Sequence, residues 1–309
     1  MSIIKISMNS KIFTFLLLAF IVFFNNSCSN GDEVQTTPTN TSLQNPTQNS
    51  NKILKFIKST DNNPTHYFQN SNGKIVLWNT SYNNNYNATI HSVTYNSMGK
   101  IDKISISNSS SINYYEAQFK YNNNLLSEIV YLHKDTNGNF LLNTSYTVQY
   151  KNSKIYRLIR TTYNTPQDYI NDTLNNCNIT ELEFSGENVT KATFITGQYS
   201  KATGVINAES YAYFTRLYTY NDSIINPYST FPIEFQAYLA HLSLENSEYS
   251  VDYFSKNAKN GLTTYVLQSL FSNYYFNYET DISLNGLPNK IGSNNGNFGS
   301  KATFEYDSF

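Results

Sequence analysis

From Ile53 onward, apolar and polar positions recur as one unit: an apolar residue, a spacer, an aromatic residue, a polar turn, then two apolar residues three apart. Val93/Tyr95 lead through Asn96-Ser97-Met98-Gly99 to Ile101/Ile104, and Phe119/Tyr121 through Asn122-Asn123-Asn124 to Leu126/Ile129. Val148/Tyr150 lead through Lys151-Asn152-Ser153 to Ile155/Leu158, and Leu182/Phe184 through Ser185-Gly186-Glu187-Asn188 to Val189/Ala192. A weaker copy runs from Tyr67-Phe68 through Asn72-Gly73 to Ile75/Trp78, and aromatic landmarks return at Tyr218/Tyr220, Phe276/Tyr278 and Phe304/Tyr306. Self-similarity at this spacing, roughly 26 to 36 residues, marks a repeat architecture.

Alternation before each turn gives one buried face, and Asn, Gly and Ser at the turn supply the positive φ that short hairpin loops require. Each unit therefore predicts a β-hairpin. Two apolar residues three apart break strict alternation, and a bulge beside the turn returns both to the core side. The expected fold is mainly β, an antiparallel meander of hairpins forming a curved or partly closed sheet. Polar links such as Ser107–Tyr115 and Thr161–Asn178 are expected as exposed loops. One segment departs from the pattern: Ile233, Ala237, Ala240 and Leu244 recur at helical spacing behind Pro232, so a single short helix is expected near 232–244, packed on the sheet.

Composition fits this reading. The chain of 309 residues holds 27 Tyr and 20 Phe but one Trp, in a background of Asn, Ser and Thr. Aromatic residues suit a pleated, half-buried surface, and Asn suits tight turns. Charged residues make up 14% and the net charge is −1, so there is no basic face with which to displace counterions from nucleic acid.

The N-terminus reads as an address. Lys5 and Lys11 precede an apolar stretch from Ile12 to Phe24, interrupted only by Thr14 and too short to span a bilayer. Met8 offers an alternative start. Ser27-Cys28 follows, and the segment resembles lipoprotein signals, in which the cysteine thiol is acylated and becomes the new N-terminus. Asn25 and Asn26 depart from the usual aliphatic or small residues, as Bacteroidetes-type signals tolerate. The resemblance implies a signal peptide over 1–27 and lipidation of Cys28. Residues 28–51 are too polar to offset ordering entropy and are expected as a tether, leaving 52–309 as one repeat-built β domain. With Cys28 acylated, Cys177 has no partner. Asp32-Glu33 resembles the acidic signal that sends such lipoproteins to the outer face of the outer membrane.

The units themselves resemble the YD-like repeats of uncharacterised Bacteroidetes surface lipoproteins, most clearly in Tyr95…Gly99-Lys100-Ile101-Asp102-Lys103-Ile104. Asn226-Pro227-Tyr228 and Phe254-Ser255-Lys256-Asn257 look like later landmarks of the same group. The resemblance implies a β-rich surface domain and carries over no catalytic residues.

Candidate chemistry is sparse. His66, His91, His133 and His241 share no metal-ligand spacing, and no metal or cofactor is expected. Asp135-Thr136-Asn137-Gly138-Asn139 resembles the start of a calcium loop but lacks the closing acid, so a hairpin turn is expected. Glycoside hydrolysis needs two convergent carboxylates; Glu116, Glu128, Glu181, Glu183, Glu234 and Asp252 are available but occupy unrelated repeat positions. Asp172-Thr173-Leu174 and Asp222-Ser223-Ile224 resemble short O-glycosylation acceptors. The off-repeat aromatic clusters Tyr82…Tyr86, Tyr211-Ala212-Tyr213-Phe214 and Tyr274-Tyr275 are candidate binding faces. The expectation is a lipid-anchored, non-enzymatic binding or adhesion module for an extracellular glycan or protein. The alternatives are a structural envelope protein and, behind it, a surface glycoside hydrolase.

Overall fold

The computed structural model describes residues 52–59, 65–81, 89–108, 111–171, 174–209, 214–245, 260–269, 273–283, 285–293 and 301–308. They belong to a compact unit spanning Gln44–Phe309. The expected signal, tether and Cys28 lie outside the described residues.

Nine strands come first: β1 (Lys52–Ser59), β2 (Thr65–Ser71), β3 (Lys74–Ser81), β4 (Thr89–Tyr95), β5 (Ile101–Asn108), β6 (Ser111–Asn122), β7 (Leu125–Lys134), β8 (Phe140–Lys151) and β9 (Lys154–Thr162). After helix α1 (Pro166–Asn171) follow β10 (Asn175–Ser185), β11 (Asn188–Tyr199), β12 (Ile206–Ala208) and β13 (Phe214–Ile225). A 3-10 turn (Pro227–Thr230) and helix α2 (Ile233–Glu245) separate these from β14 (Asn260–Ser269), β15 (Asn273–Ile282), β16 (Pro288–Ser293) and β17 (Lys301–Ser308).

Consecutive strands pair antiparallel throughout, β11 also pairs with β13, and β17 returns to pair with β1 from Lys52↔Ser308 to Ser59↔Ala302. The sheet is thus a closed barrel of 16 strands, with β12 appended to β11. Closure corrects the expected curved or partly closed meander. A chain of hairpins with a continuous apolar face leaves two exposed edges until its ends pair, and closure removes them. The six-residue helix α1 corrects the expectation of at most one helix, and it also occupies the stretch read as an extended polar loop.

The expected bulges are present in every unit of the first half. Tyr95 faces Ile101 while Thr94 faces Lys103, so Asp102 is the extra residue; the same shift recurs at Gln69/Asn70, Lys120/Tyr121, Gln149/Tyr150 and Glu183/Phe184. Both apolar residues of each pair are consequently buried: Ile101 with Ile104, Leu126 with Ile129, Ile155 with Leu158, and Val189 with Ala192. The turns carry the expected positive φ at Asn72 and Gly73, at Asn123 and Asn124, and at Asn152 and Ser153. Two adjacent positive φ values are the signature of a turn matched to the twist of the flanking strands.

A second repeat rule emerges from side chains. Tyr95 Oη donates to Ile75 O at 2.8 Å and Tyr121 Oη to Ile101 O at 2.6 Å, while Tyr150 bonds to the backbone of Leu126. Tyr306 Oη donates to Pro288 O at 2.9 Å. Each tyrosine therefore ties its unit to the first apolar residue after the preceding turn. The lysine before that residue caps the same ring: Lys74 lies 4.9 Å from the Tyr95 centroid and Lys100 5.3 Å from that of Tyr121. Lys100 Nζ also donates to Asn124 O, and Lys154 Nζ to Gly186 O. The recurring Lys-Ile thus holds the next hairpin, which is why it recurs. Tyr121→Phe is expected to leave Ile101 O unsatisfied and cost about 1 kcal/mol in urea unfolding, with the Lys100 contact retained. An unchanged midpoint would show that the bond contributes nothing.

Candidate functional site

The inward face is set by the buried partners of the bulged pairs, and it surrounds α2. Phe235 packs edge-on to Phe68 and Trp78, 6.3 and 6.2 Å between centroids. Tyr238 meets Trp78, His91, Phe119 and Tyr131, which sit on four different strands. The connection between β13 and β14 therefore plugs the lumen. Leu54 N, freed where β1 bulges against β17, donates to Thr230 Oγ1 at 3.1 Å and fixes the 3-10 turn to the wall. The helix packs within the sheet rather than on its outside. Glu234, Phe235, Gln236, Ala237, Tyr238 and Leu239 are all buried, so burial runs right round the axis and not along one stripe.

Polar groups inside this core are paired. Trp78 Nε1 donates to His66 Nδ1 at 3.2 Å, and His91 Nδ1 lies 2.9 Å from Tyr238 Oη. Burial and then the neighbouring His66 push His91 down to about 3, so it is neutral at ordinary pH. Glu234 approaches Lys100 at 3.9 Å. Burial, with the Glu234 charge second, raises the phenols of Tyr95, Tyr121 and Tyr150 well above their ordinary range, keeping them protonated.

Above Tyr238 the lumen changes character. Tyr146 pairs with Arg160, Arg160 with Asn178, and Asn178 with Thr196, all on the inward face that also carries Val148 and Leu158. Asn178 and Thr162, near the ends of their strands, are exposed, whereas Thr144, Tyr146 and Thr180 on the same inward face are buried. Further round, Phe194 and Phe214 pair with ring centroids 4.1 Å apart, and the Arg216 guanidinium lies 5.1 and 5.5 Å from them. On the opposite flank Tyr115 and His133 face each other at 5.1 Å. Among the described residues, none on the inward face from β6 to β11 is acidic. Arg160 and Arg216 give this wall its charge.

The outer wall is polar and laced with ion pairs. Lys103 meets Glu116 at 3.0 Å, Lys120 meets Glu128 at 3.2 Å, Arg157 meets Glu181 at 2.6 Å and Lys191 meets Glu183 at 2.7 Å. A barrel that crosses a membrane turns an apolar band about 25 Å tall toward lipid, and each Lys or Arg at the midplane costs about 2–4 kcal/mol. Here these ion pairs lie on the outward face from β5 to β11, while the larger apolar cluster lies inside. Among the described residues, no helix is long and apolar enough to cross a membrane.

No family model matches the chain, and no curated protein does. Among solved structures, the chain is similar to a porin-like protein from Bacteroides uniformis, with 14% identity and a TM-score of 0.48, covering 84% of this chain and 98% of that one. It is also similar to a porin-like protein from Bacteroides vulgatus, at 12% identity and a TM-score of 0.47, covering 84% and 100%.

The residues singled out in the sequence are scattered by this architecture. Glu116, Glu128, Glu181 and Glu183 stand on the outer wall, each held by a base, while Glu234 is inside; Asp252 lies outside the described residues. His66 and His91 are inside the core and His133 lines the lumen; His241 lies on α2, its side chain outside the described set. Among the described residues no cluster could hold a metal. Asp135 spends its carboxylate on the turn, accepting from Asn137 N at 2.9 Å and Asn139 N at 2.8 Å, so the calcium-like sequence is a hairpin turn.

Cys177, read as part of a polar loop, instead sits within β10, buried with Ile159, Ile179 and Tyr199 on the outer face. The alternation Asn176-Cys177-Asn178 is that of a strand, and burial pushes its thiol up to about 11. Beside this cluster, Lys201 and Tyr169 of α1 converge on the buried Glu128, with Lys201 Nζ 2.8 Å and Tyr169 Oη 3.1 Å from its Oε2. Of the aromatic clusters, Tyr82–Tyr86 and Tyr211–Tyr213 lie outside the described residues, Tyr275 is exposed and Phe214 lines the lumen. Leu174 and Ser223 of the acceptor-like triplets are exposed, whereas Asp172 and Thr173 are not described. Arg160 and Arg216 escaped the sequence reading. The available signal was a cation at a position where the repeat places a core residue.

Proposed function

We propose that this chain is a non-enzymatic binding or adhesion module, anchored to the outer membrane through lipid on Cys28 and facing the cell exterior, that recognises an extracellular glycan or protein. The observation that carries the reading is the division of the barrel between its two ends. The tight turns, both terminal strand ends, Lys52 and Ser308, and the connection that forms the plug stand at one end, while the other connections between strands, with the exposed Asn178 and Thr162 near them, stand at the other. A tether ending at Lys52 would hold the tight-turn end toward the membrane and present the other end, with its loops, outward. Loops on a rigid scaffold are where recognition concentrates. The polar wall supports anchoring over spanning, and the plug formed by α2 argues against conduction.

Two measurements test this. Metabolic labelling with a fatty-acid analogue is expected to mark the parent chain and not Cys28→Ser; equal labelling would remove the anchor. A glycan and protein array probed with the chain is expected to give ligands, and silence across both classes would leave the structural-envelope alternative standing.

A further inference from the structure

We propose that the segment from Tyr163 to Asn171, which carries α1, and the turn between β11 and β12 form a releasable strap over a second core on the outer wall, with Glu128 as its latch. The inference goes beyond the binding-module reading and stands without it. The wall shows first that something covers it. Two cross-strand rows face outward between β7 and β10: one runs from Glu128 through Ile159 to Ile179, the next from Val130 through Ser145 and Thr161 to Cys177. Ser145, Ile159, Thr161 and Ile179 are at most 1% exposed although they lie on the outside of a barrel. The row on the tight-turn side, where Arg157 meets Glu181, is polar and partly exposed.

The cover comes from two connections. Helix α1 packs on β8, Tyr163 Oη lies 3.0 Å from Ser145 Oγ, and Tyr163 meets Tyr169 edge-on at 5.3 Å. Lys201 follows the end of β11 yet reaches Glu128 on β7, so the turn and its lysine cross outside β8, β9 and β10. Gly197 makes room for that fold, since a Cβ there would stand 2.6 Å from Asn207 O of β12.

Both connections end on the same carboxylate. Glu128 is 3% exposed. Lys201 Nζ donates to its two oxygens at 2.9 and 2.8 Å, Tyr169 Oη donates to Oε2 at 3.1 Å, and Lys120 Nζ of the wall lies 3.2 Å away. Lys201 and Lys120 also donate to Tyr169 Oη, at 2.9 and 2.6 Å. These are charge-assisted bonds, the strong kind. The other attachments are slight. Helix α1 has six residues and buries none of them, too few for stability of its own, and Ile170 is 70% exposed. The three-residue β12 stands outside the closed ring of strands. The strap can therefore open as a local unit while the wall stays paired.

Cys177 reports the opening, because it lies in the covered row and burial pushes its thiol up to about 11. The experiment is the rate at which a small disulfide reagent modifies Cys177 in the full chain carrying Cys28→Ser, which leaves one thiol. In this parent the folded chain is expected to react far more slowly than the chain in urea. Glu128→Gln is expected to raise the folded rate about tenfold, the loss of one charged hydrogen bond, with the circular dichroism of the strands unchanged. Tyr169→Phe, which leaves Glu128 its lysines, is expected to raise it about threefold and carries the test should Glu128→Gln not fold. Lys191→Gln breaks the Glu183 pair on the same wall and is expected to react like the parent. A parent that reacts as fast folded as unfolded would overturn the strap. Glu128→Gln and Tyr169→Phe both reacting like the parent, or Lys191→Gln reacting like Glu128→Gln, would overturn the latch. Modification that rises only in the urea range where the barrel itself unfolds would overturn both, because opening would then require the whole wall.

Discussion

Trp78→Ala is expected to destabilise the barrel by about 3–5 kcal/mol, the range for removing a large buried aromatic. Trp78 is 1% exposed and lies at the junction of wall and plug. It stacks on His91 at 4.1 Å and Phe68 at 6.0 Å, and it receives Phe235 and Tyr238 edge-on. Its loss opens a cavity that the wall cannot fill, because β3 is held in register by its pairing with β2 and β4. It also strips His66 Nδ1 of its indole donor, leaving Thr80 Oγ1 at 3.3 Å as the nearby hydroxyl. Urea unfolding followed by tyrosine fluorescence reads the effect. A loss under 1 kcal/mol would mean that the plug does not depend on this contact.

The second large effect is acid lability. His91 titrates near 3 in the folded barrel and near 6.5 when unfolded, with burial the main cause and His66 the next. Between those values the unfolded chain binds the proton and the folded chain does not. Stability is therefore full above about pH 6.5 and falls as pH drops toward 3, by at most about 5 kcal/mol at roughly 1.4 kcal/mol per pH unit. His91→Gln keeps a polar partner for Tyr238 and is expected to flatten that limb. An acid limb of the same slope in His91→Gln would assign the loss to other groups.

The hairpins were legible in the sequence because each unit states its own register. An apolar pair three apart beside an Asn-rich turn has one economical solution, and Ile101 with Ile104 adopts it. Closure was not legible. Periodicity tells which face is buried but not against what, and the pairing of Ile57 with Phe304 joins residues that no local pattern links. The helix was found for a partly mistaken reason. Spacing picked out Ile233, Ala237, Ala240 and Leu244 as a stripe, while Phe235 and Tyr238 off that stripe are buried as well because the barrel surrounds the helix. Cys177 was misplaced because flanking asparagines resemble a turn, although Asn178 is polar for a different cause: it is exposed near the start of β10. The acids were read as possible catalytic groups, and cross-strand pairing with Lys and Arg explains four of them.

The pairing of the first strand with the last also governs how the barrel can be made. Every other seam in the wall joins strands that follow one another in the chain or are separated only by β12, and can form as the polypeptide emerges. The β1–β17 seam cannot; its partners are separated by nearly the whole domain, and its loop-closure entropy is met only at the end. Until then the apolar inner faces and two bare edges remain available to other chains. A chain truncated before Lys301 would keep nearly all of its hairpins and still expose both edges, so loss of the last eight-residue strand should turn a closed barrel into an aggregating sheet.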